Sequence, residues 1–436
     1  MSAAERRAAA CYDSRAMKFV HAADLHLDSP LLGLSKYEGA PVEQIRGATR
    51  RALENLVKLC LSEQAQLLVI AGDLYDGDWR DYSTGLFFNK QMSALRAGGV
   101  QVVWIRGNHD AASKLTAHLA LPDNVRELSH KKPDTFVLEE LGIAVHGQGF
   151  ETRDVTRDLS ERYPEPLRDL FNIGLLHTAL EGRAGHAAYA PCRLSALVDR
   201  GYEYFALGHV HRREVLSEQP WIVFPGNLQG RHARETGEKG ATLVTIEGQI
   251  VRSVEPRALD AVRWQLAEAD VSAESSLDGV LERLRQALLA AVAQSEGRLS
   301  AIRVRLTGAS AAHELLVTRA ERVTEEVRAL TSDLSGEAWL EKVELATRPV
   351  SLRAPLRERE DAIGEMLRGI AELAADEASL GELAAELAEL KRRLPTDLRE
   401  GPDAIDLDSP EALRALLAEI EDTLVPALRG SEDAQS

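Results

Sequence analysis

The segment Gln101-Val-Val-Trp-Ile-Arg-Gly-Asn-His-Asp110 joins a short apolar run to a cluster of polar side chains. Its first half, residues 101–105, has the length and composition of a buried strand. Two similar runs precede it, at residues 18–23 and 66–70, and aspartate follows each of them within three residues. We therefore expect three buried strands, each of which ends at residues able to do chemistry.

Helical patterns separate these three runs, over residues 42–63 and about 82–97. Strands that alternate with helices indicate βαβ units and a sheet that is at least partly parallel. Further strands are predicted downstream, several of them joined by short turns that contain glycine: 136–145, 171–176, 203–206, 221–224 and 241–254. We expect one large α/β domain with packed sheets over residues 17–256, after a ragged extension at 1–16.

The charge of the chain is unevenly distributed along its 436 residues. It has 52 Lys and Arg against 69 Asp and Glu, a formal net charge of −17, which excludes a uniformly basic protein that coats DNA. Residues 351–436 hold 21 acidic and 10 basic residues and so account for −11 of this charge. The whole-chain charge is therefore a poor guide to what the first domain binds.

Cysteine usage and hydropathy bear on the compartment. Cys11, Cys60 and Cys192 lie far apart without a CxxC spacing, which disfavours a disulfide framework and a thiolate zinc site. No apolar run approaches the roughly 18 residues of a membrane span, and residues 1–16 lack the apolar core of a secretory signal. We expect a cytoplasmic protein that does not associate with membranes.

Residue types that bind metal ions follow five of the predicted strands. Functional groups gather at the carboxyl ends of strands in open α/β sheets, so side chains about 150 residues apart can converge there. The glycines before three of them, Gly72, Gly107 and Gly208, are expected to let the backbone turn sharply out of the strand. The candidate ligands are Asp24, His26, Asp73, Asn108, His177, His209 and His211.

The size of this set decides how many ions it suits. One ion with an open position needs about three or four protein ligands, so seven suit two ions if Asp73 bridges them. Imidazole and oxygen ligands without thiolate indicate Mn²⁺, Fe²⁺ or Zn²⁺. Two such ions about 3.5–4 Å apart can bind a phosphate, activate water and stabilise an in-line displacement. His109, beside Asn108, is well placed to protonate the leaving oxygen.

The remaining chain divides in two. Residues 257–350 predict a small α+β domain: a strand, a helix at about 276–295, a strand at 302–306, a helix at about 311–332 and a strand at 339–345. Residues 351–436 are helical and acidic, and apolar residues recur in them at heptad spacing from Ile363 to Leu394. This stripe suits a helical hairpin packed on its own domain or a helix pair that docks on a partner. We favour the partner because the stripe is narrow and its flanks are charged.

The joint pattern over residues 18 to about 226 resembles the calcineurin-like metallophosphoesterase superfamily, whose signature is D-x-H, G-D, G-N-H-D/E, H and G-H-x-H. His21-Ala-Ala-Asp-Leu-His-Leu-Asp28, Ala71-Gly-Asp-Leu-Tyr-Asp76 and Ala206-Leu-Gly-His-Val-His211 resemble the SbcD-type DNA-repair exonucleases. Pro225-Gly-Asn-Leu-Gln-Gly-Arg-His-Ala-Arg-Glu-Thr236 is closer to the YhaO subgroup. The resemblance implies a two-sheet sandwich with flanking helices, a cap at 257–350 and an ATPase-docking segment at 351–436.

The resemblance also assigns residues to roles. It implies that Asp24, His26, Asp73 and His211 surround one manganese and that Asp73, Asn108, His177 and His209 surround the other. His109 would be the catalytic histidine, with Asp110 beside it in the catalytic set. Asp76 stands where archaeal and eukaryotic members carry a second histidine, which puts a second protonating group in doubt.

Three functions are weighed for this chain. The first is a Mn²⁺-dependent DNA phosphodiesterase of DNA repair, an exonuclease and also a candidate endonuclease, that acts with an SbcC-like or YhaN-like ATPase and forms a homodimer. The second is a phosphodiesterase or phosphomonoesterase for small molecules, and the third is a non-catalytic metal-site scaffold for the ATPase. Arginines outside the ligand set favour DNA, because they could grip its backbone: Arg183, Arg212, Arg213, Arg231 and Arg234.

Overall fold

The computed structural model describes residues 16–29, 41–76, 82–112, 121–180, 189–334, 337–350, 357–394 and 406–433. The chain forms two compact units, which divide between Trp264 and Gln265. The ragged extension expected at 1–16 lies outside the described residues, apart from residue 16. None of the helices in these ranges has the length and apolar character that a membrane span requires.

Two six-stranded sheets form the centre of the first unit, as far as the described ranges show. In chain order the strands are β1 (Met17–Ala22), β2 (Leu67–Ala71), β3 (Gln101–Ile105), β4 (Val125–Glu127), β5 (Asp134–Leu138), β6 (Ile143–Gly147), β7 (Phe171–His177), β8 (Tyr204–Gly208), β9 (Glu214–Glu218), β10 (Trp221–Phe224), β11 (Gly240–Glu247) and β12 (Ile250–Ala258). One sheet has the order β12-β11-β1-β2-β3-β4 and the other β5-β6-β7-β8-β10-β9. Strands β1 to β4 are mutually parallel, and so are β6, β7 and β8.

Apolar side chains fill the space between the two sheets and cover their outer faces. Alternate residues of β2, Leu67 and Val69, face a core that the second sheet shares through Ile173 and Tyr204. The outer face of the first sheet packs on helices, whereas α5 and several loop segments cover the second sheet. The helices are α1 (Val42–Arg46), α2 (Ala48–Ser62), α3 (Tyr82–Ala97), α4 (Asn108–Ala112) and α5 (Leu194–Asp199). The predicted two-sheet sandwich with flanking helices is confirmed.

The bounds of several helices and strands differ from the prediction. The single strand predicted over 136–145 is wrong, because Gly142 adopts a left-handed φ of 66° and reverses the chain between antiparallel β5 and β6. The helix predicted over 42–63 divides at Gly47 into α1 and α2. Strands β4 and β9 were not predicted, since most of their residues are half-exposed and mixed in polarity. Strand β12 runs through Pro256 to Ala258, across the domain boundary expected there.

The second unit begins with a three-stranded sheet of order β13-β14-β15. Strand β13 (Val262–Asp270) starts just before the division, and β14 (Leu299–Ser310) pairs in parallel with β15 (Ala338–Pro349). Helices α6 (Leu277–Gln294), α7 (His313–Thr318) and α8 (Ala320–Leu334) enclose a leucine- and valine-rich core against this sheet. The expected order of strands and helices is present, except that the helix predicted over 311–332 breaks at Arg319.

Three helices form the C-terminal part of this unit: α9 (Ala362–Ala375), α10 (Glu377–Arg393) and α11 (Pro410–Asp433). The prediction that the heptad stripe runs continuously from Ile363 to Leu394 is wrong. Asp376 ends α9 and caps α10, because its carboxylate accepts the Ser379 amide at 2.9 Å. Buried Leu380, Leu413 and Leu417 form a shared core that Leu383 and Leu387 pack against. Most of the stripe is therefore covered by the chain's own helices, as expected for the alternative of helices that pack within their own domain.

Candidate metal centre

The candidate ligands lie where the parallel strands of both sheets end. Asp24 and His26 follow β1, Asp73 follows β2, and His177 is the last residue of β7. The loops after β1 and β2 are joined by backbone hydrogen bonds, in which the Asp24 amide donates to the Gly72 carbonyl and the His26 amide to that of Asp73, both at 3.0 Å. The sheet topology therefore brings together residues that are distant in sequence.

The glycines before the ligands serve mainly to let segments approach closely. A Cβ on Gly107 would lie 2.2 Å from Asp73 Oδ1, and one on Gly208 would lie 1.9 Å from the Ala71 carbonyl oxygen. Only Gly72 of the three has a left-handed backbone, with φ of 93°. The expectation that all three glycines turn the chain is therefore wrong for Gly107 and Gly208. Because these two residues have no side chain, Asp73 can lie close to Gly107, and the end of β2 at Ala71 can lie close to Gly208.

The ligands themselves carry the unusual backbone. Asp24, His26, Asp73 and His209 have φ values of 52°, 42°, 54° and 99°. A left-handed conformation is uncommon outside glycine, although Asp and His adopt it more often than most residues. Such conformations persist where the surrounding structure fixes them, and they are frequent at functional sites. Here buried strand ends and hydrogen-bonded loops hold all four.

The first ligand group contains Asp24, His26 and His211, whose ligand atoms all lie within 4.8 Å of one another. The Nε2 atoms of His26 and His211 are 3.3 Å apart. The Asp24 carboxylate accepts the His209 amide at 3.0 and 3.1 Å, which orients it toward the group. His26 and Asp24 are almost fully buried.

The second ligand group contains Asp73, His177 and His209, also within 4.8 Å. The Nδ1–H of His177 donates to the Ala71 carbonyl at 2.9 Å, and its Nε2 lies 3.0 Å from Asn108 Oδ1. Asp73 Oδ2 lies between the two groups, 3.5 Å from His177 Nε2 and 3.8 Å from His26 Nε2. This position is the one that a bridging carboxylate requires.

The donor atoms fit two divalent cations. Burial lowers the pKa of His26 and of His177 to about 3, so both rings are neutral and offer a lone pair. Burial, and then the neighbouring Asp73, raise the pKa of Asp24. His177 Nε2 and Asn108 Oδ1 are both acceptors once Nδ1 of the ring donates to Ala71, and a cation held by both residues would account for their close approach. Clusters of this kind are compatible with a dinuclear metal site.

His109 lies beside the two groups and is held by a carboxylate. Its Nδ1 is 2.8 Å from Asp76 Oδ1, and its ring meets the His26 ring edge-on at 4.9 Å between centroids. Burial opposes protonation of His109, but the hydrogen bond with Asp76 and the negative charges of Asp73 and Asp76 together outweigh burial and raise the pKa of the imidazole. Ser29 Oγ also donates to Asp76, at 2.6 Å. The sequence singled out Asp76 only as a departure from relatives, and its pairing with His109 was missed.

Glu235 is a second supporting carboxylate that the sequence did not single out. Its Oε1 accepts from His211 Nδ1 at 2.6 Å, and its Oε2 accepts from Asn227 Nδ2 at 2.8 Å. Burial opposes its ionisation, but the hydrogen bond with His211 and the nearby charges of Arg231, His211 and His232 together outweigh burial and hold the pKa of Glu235 well below its usual range. Partners of this kind fix the orientation of a ligand imidazole. The signal was the quoted stretch 225–236, which contains Glu235.

Asp110 serves as a hydrogen-bond acceptor for backbone amides. Its carboxylate accepts the amides of Gly107, Leu74 and Tyr75 at 2.9, 3.2 and 2.9 Å. Burial and the nearby Asp73 nevertheless raise its pKa to about 7. It joins the loops after β2 and β3, so its geometry is that of a positioning residue and differs from the catalytic place expected for it.

The other residues considered are scattered. Arg183 lies outside the described residues, Arg212 and Arg234 are exposed, and Arg213 and Arg231 are half-buried. His146 lies within β6, where Thr135 and Asn172 hydrogen-bond its two ring nitrogens. Arg231 forms ion pairs with Asp76 and Glu235, the two carboxylates that support the ligand cluster.

Two family models match this chain. Residues 17–213 match the model of the calcineurin-like phosphoesterases, and residues 264–348 match that of the middle domain of the metallophosphoesterase YhaO. The first match contains all seven candidate ligands and His109. The second covers the sheet and helices that open the second unit.

Two curated relatives agree with these matches. The chain is 35% identical over 270 residues, 61% of its length, to the uncharacterized metallophosphoesterase YhaO of Bacillus subtilis. It is 28% identical over 238 residues, 48% of its length, to the DNA double-strand break repair protein Mre11 of Methanopyrus kandleri. The matches span 66% and 48% of these relatives' own lengths.

Solved structures give more distant likenesses. A dimetal phosphatase from Danio rerio matches 54% of this chain and 96% of its own, at 14% identity and a TM-score of 0.30. GAP50 of Plasmodium matches 56% of this chain and 89% of its own, at 11% identity and a TM-score of 0.33. The family models and the YhaO relative carry the assignment: the chain belongs to the calcineurin-like metallophosphoesterases, in a YhaO-like subgroup.

Proposed function

We propose that this chain is a Mn²⁺-dependent DNA phosphodiesterase of DNA repair, an exonuclease and also an endonuclease, that works in the cytoplasm. One observation carries the proposal: two largely buried ligand groups share the region around Asp73, with His109 beside them. A protein that only organised a partner would not need the complete ligand set, the supporting carboxylates and an oriented histidine together. This argument favours an enzyme over a scaffold.

The chain's own residues have separable parts in the reaction. Asp24, His26 and His211 would hold one ion and Asn108, His177 and His209 the other, with Asp73 between them. Two such ions, when bound, orient a phosphate and supply electrostatic stabilisation for in-line displacement. His109 has its Nδ1 fixed by Asp76 at 2.8 Å, so its Nε2 is the atom that can protonate the leaving oxygen.

Support for DNA as substrate comes from a relative and from charge. The relative from Methanopyrus kandleri is named as a DNA double-strand break repair protein. Arg212 and Arg234 are exposed near the site loops, where a polyanion could reach them. Residues 351–436 carry −11 of the formal net charge of −17, so the phosphoesterase unit itself repels DNA little.

The decisive experiment compares two substrates with one preparation. Labelled linear duplex DNA and bis-p-nitrophenyl phosphate are incubated with the full chain and Mn²⁺, and Asp73→Ala serves as the inactive control. We expect progressive shortening of the DNA together with hydrolysis of the small diester. Hydrolysis of the small diester with intact DNA would contradict the nuclease and favour the second candidate.

That second candidate is a phosphoesterase for small molecules. The observation that favours it is a cation close to the ligand cluster, since Arg231 forms ion pairs with the supporting carboxylates of Asp76 and Glu235. A small phosphate ester needs only the ion cluster and one nearby cation. The same assay, extended to cyclic nucleotides and phosphomonoesters, separates the two candidates.

The C-terminal helices are proposed to dock an SbcC-like or YhaN-like ATPase, and the phosphoesterase unit is proposed to form homodimers. Because the buried leucines of these helices cover one another, we place the docking surface at the exposed apolar residues Leu390 and Ile420, which are 52% and 45% exposed. Leu390→Glu with Ile420→Glu in the full chain should abolish co-purification with the ATPase. Undiminished co-purification would contradict docking at these helices, and sedimentation of the purified chain tests the dimer.

A further inference from the structure

Arg231 lies next to the ligand cluster with 17% of its side chain exposed. It belongs to the loop between β10 and β11, which is tied to ligand residues at several points. The Leu228 amide donates to the Asp24 carbonyl at 3.4 Å, and Lys239 Nζ donates to the His211 carbonyl at 2.9 Å. The loop thus holds the Arg231 backbone at the edge of the site.

The guanidinium of Arg231 lies between the two carboxylates that support site histidines. Its Nη1 is 3.8 Å from Asp76 Oδ2, and its Nη2 is 3.6 Å from Glu235 Oε1. Both separations exceed the 2.7–3.2 Å typical of a direct N–H···O hydrogen bond. The two carboxylates therefore attract the guanidinium without occupying its donors.

Other arginines of the chain show what a committed pair looks like. Arg263 reaches Asp260 with two hydrogen bonds of 2.9 and 3.1 Å, and Arg303 reaches Glu341 with two of 2.7 Å. Such two-bond pairs are the preferred geometry between guanidinium and carboxylate. Arg231 makes neither of its pairs in this way, although it is about as well protected from solvent as Arg303.

The remaining contact of Arg231 does not supply an acceptor for its hydrogen-bond donors either. Its Nη2 is 3.3 Å from His211 Nδ1, but Nδ1 donates to Glu235 Oε1 at 2.6 Å and so has no lone pair to offer. Its Nε is buried and has no hydrogen-bond partner among the described residues. A buried donor without an acceptor is costly, so these donors are suited to an acceptor that a ligand brings.

We propose that Arg231 is a phosphate-binding residue of this site, whose guanidinium donates to a non-bridging oxygen of the substrate phosphate. The planar guanidinium matches phosphate geometry with two donors, which an ammonium group cannot do. The proposal deepens the proposed function but rests only on a phosphate ester as substrate, whether DNA or a small diester. Asp76 and Glu235 then hold the guanidinium in place between the catalytic histidine and a ligand histidine.

The test measures phosphate binding directly. Inorganic phosphate is titrated calorimetrically into the Mn²⁺-loaded full chain, its inhibition of bis-p-nitrophenyl phosphate hydrolysis is measured, and bound manganese is determined by elemental analysis. Arg231→Gln should weaken phosphate binding and inhibition roughly 10- to 100-fold, the range for a hydrogen bond to a charged group. Arg231→Lys should recover part of this loss because it keeps the charge.

A matched control and two outcomes make the test decisive. Arg96→Gln removes one positive charge from an exposed position at the end of α3 and should leave phosphate affinity unchanged. Unchanged phosphate affinity in Arg231→Gln would overturn the proposal. So would loss of manganese in step with activity, because Arg231 would then only hold Glu235 and His211. Intact DNA with the unaltered chain would contradict the nuclease alone and leave the phosphate measurement valid.

Discussion

The ligand cluster and the C-terminal helices hold their residues in opposite ways. In the cluster, buried ionisable groups depend on a few short hydrogen bonds, such as His211 to Glu235 at 2.6 Å and His109 to Asp76 at 2.8 Å. In the helices, leucines such as Leu380 cover one another, and most of the charged groups are at the surface, although Glu421 is buried and pairs with Arg357. Removing one buried polar partner leaves the other unsatisfied, whereas apolar packing spreads its free energy over many contacts. Single substitutions should therefore affect catalysis far more in the cluster than in the helices.

The largest effect is expected at the ligand shared by both groups. Asp73→Ala removes the carboxylate that lies 3.5 Å from His177 Nε2 and 3.8 Å from His26 Nε2. Occupancy of both metal positions should fall, and diester hydrolysis should drop by more than the roughly 10²–10⁴-fold expected for loss of a general acid. Elemental analysis and initial rates measure the two effects.

A matched control accompanies this substitution. Asp123→Ala changes an aspartate whose side chain is 83% exposed and should alter neither metal content nor rate. Retention of two ions by Asp73→Ala would show that Asp73 does not bridge them.

The second effect concerns the proton donor. His109→Ala should keep both ions and lower DNA cleavage by roughly 10²–10⁴-fold. The loss should be smaller for p-nitrophenyl esters, whose leaving group needs little protonation. Asp76→Asn should show the same selectivity with a smaller loss, because it frees the ring that Asp76 holds at 2.8 Å. Equal losses on both substrates would mean that His109 positions the phosphate instead.

The third effect concerns Glu235, which holds the candidate ligand His211 in place. Glu235→Gln keeps the shape of the side chain but removes the charge that His211 Nδ1 contacts at 2.6 Å. Affinity for one ion should fall about 10- to 100-fold, the usual cost of losing such a partner. Chelator competition measures this affinity, and the exposed Glu218→Gln on β9 is the control. Equal weakening of both ions would contradict the assignment of His211 to one group.

The smallest effect on catalysis is expected in the helices. Leu380 is fully buried, so Leu380→Ala should destabilise the C-terminal helices by about 2–5 kcal/mol. Hydrolysis of the small diester should not change. Leu390→Ala, at a position 52% exposed, should stay within about 0.5 kcal/mol. Denaturant titration followed by circular dichroism measures both, and a loss of hydrolysis in Leu380→Ala would break the contrast between the two regions.

The ligand cluster could be predicted from sequence because each ligand lies next to a strand that the sequence itself indicates. Each ligand follows a short apolar strand, and the carboxyl ends of parallel strands meet at one edge of a sheet. Residues such as Asp24 and His177 could therefore be assigned to one site without any knowledge of loop geometry. The two-sheet fold followed from the same strands together with the family resemblance.

The supporting residues and the helix contacts were not accessible in this way. Glu235 reaches His211 only because the loop between β10 and β11 folds back over the site, and no periodicity encodes that path. The heptad spacing shows that leucines share a face, but it does not say what covers that face. Asp376 has the side chain of a helix cap, which could have indicated the break between α9 and α10.

The left-handed backbone at Asp24, His26, Asp73 and His209 narrows the substitutions that can reach another metal chemistry. An exchange of Asp for Glu, or of His for Cys, keeps a donor atom of suitable type. At these four positions, however, the incoming residue must also accept a conformation that few side chains other than Asn, Asp and His tolerate. Asparagine and glycine would fit the backbone best, and they would weaken or remove the ligand. Selection for stability alone would therefore drift toward a better-folded protein without its metals, so the ligand set persists only where activity is selected.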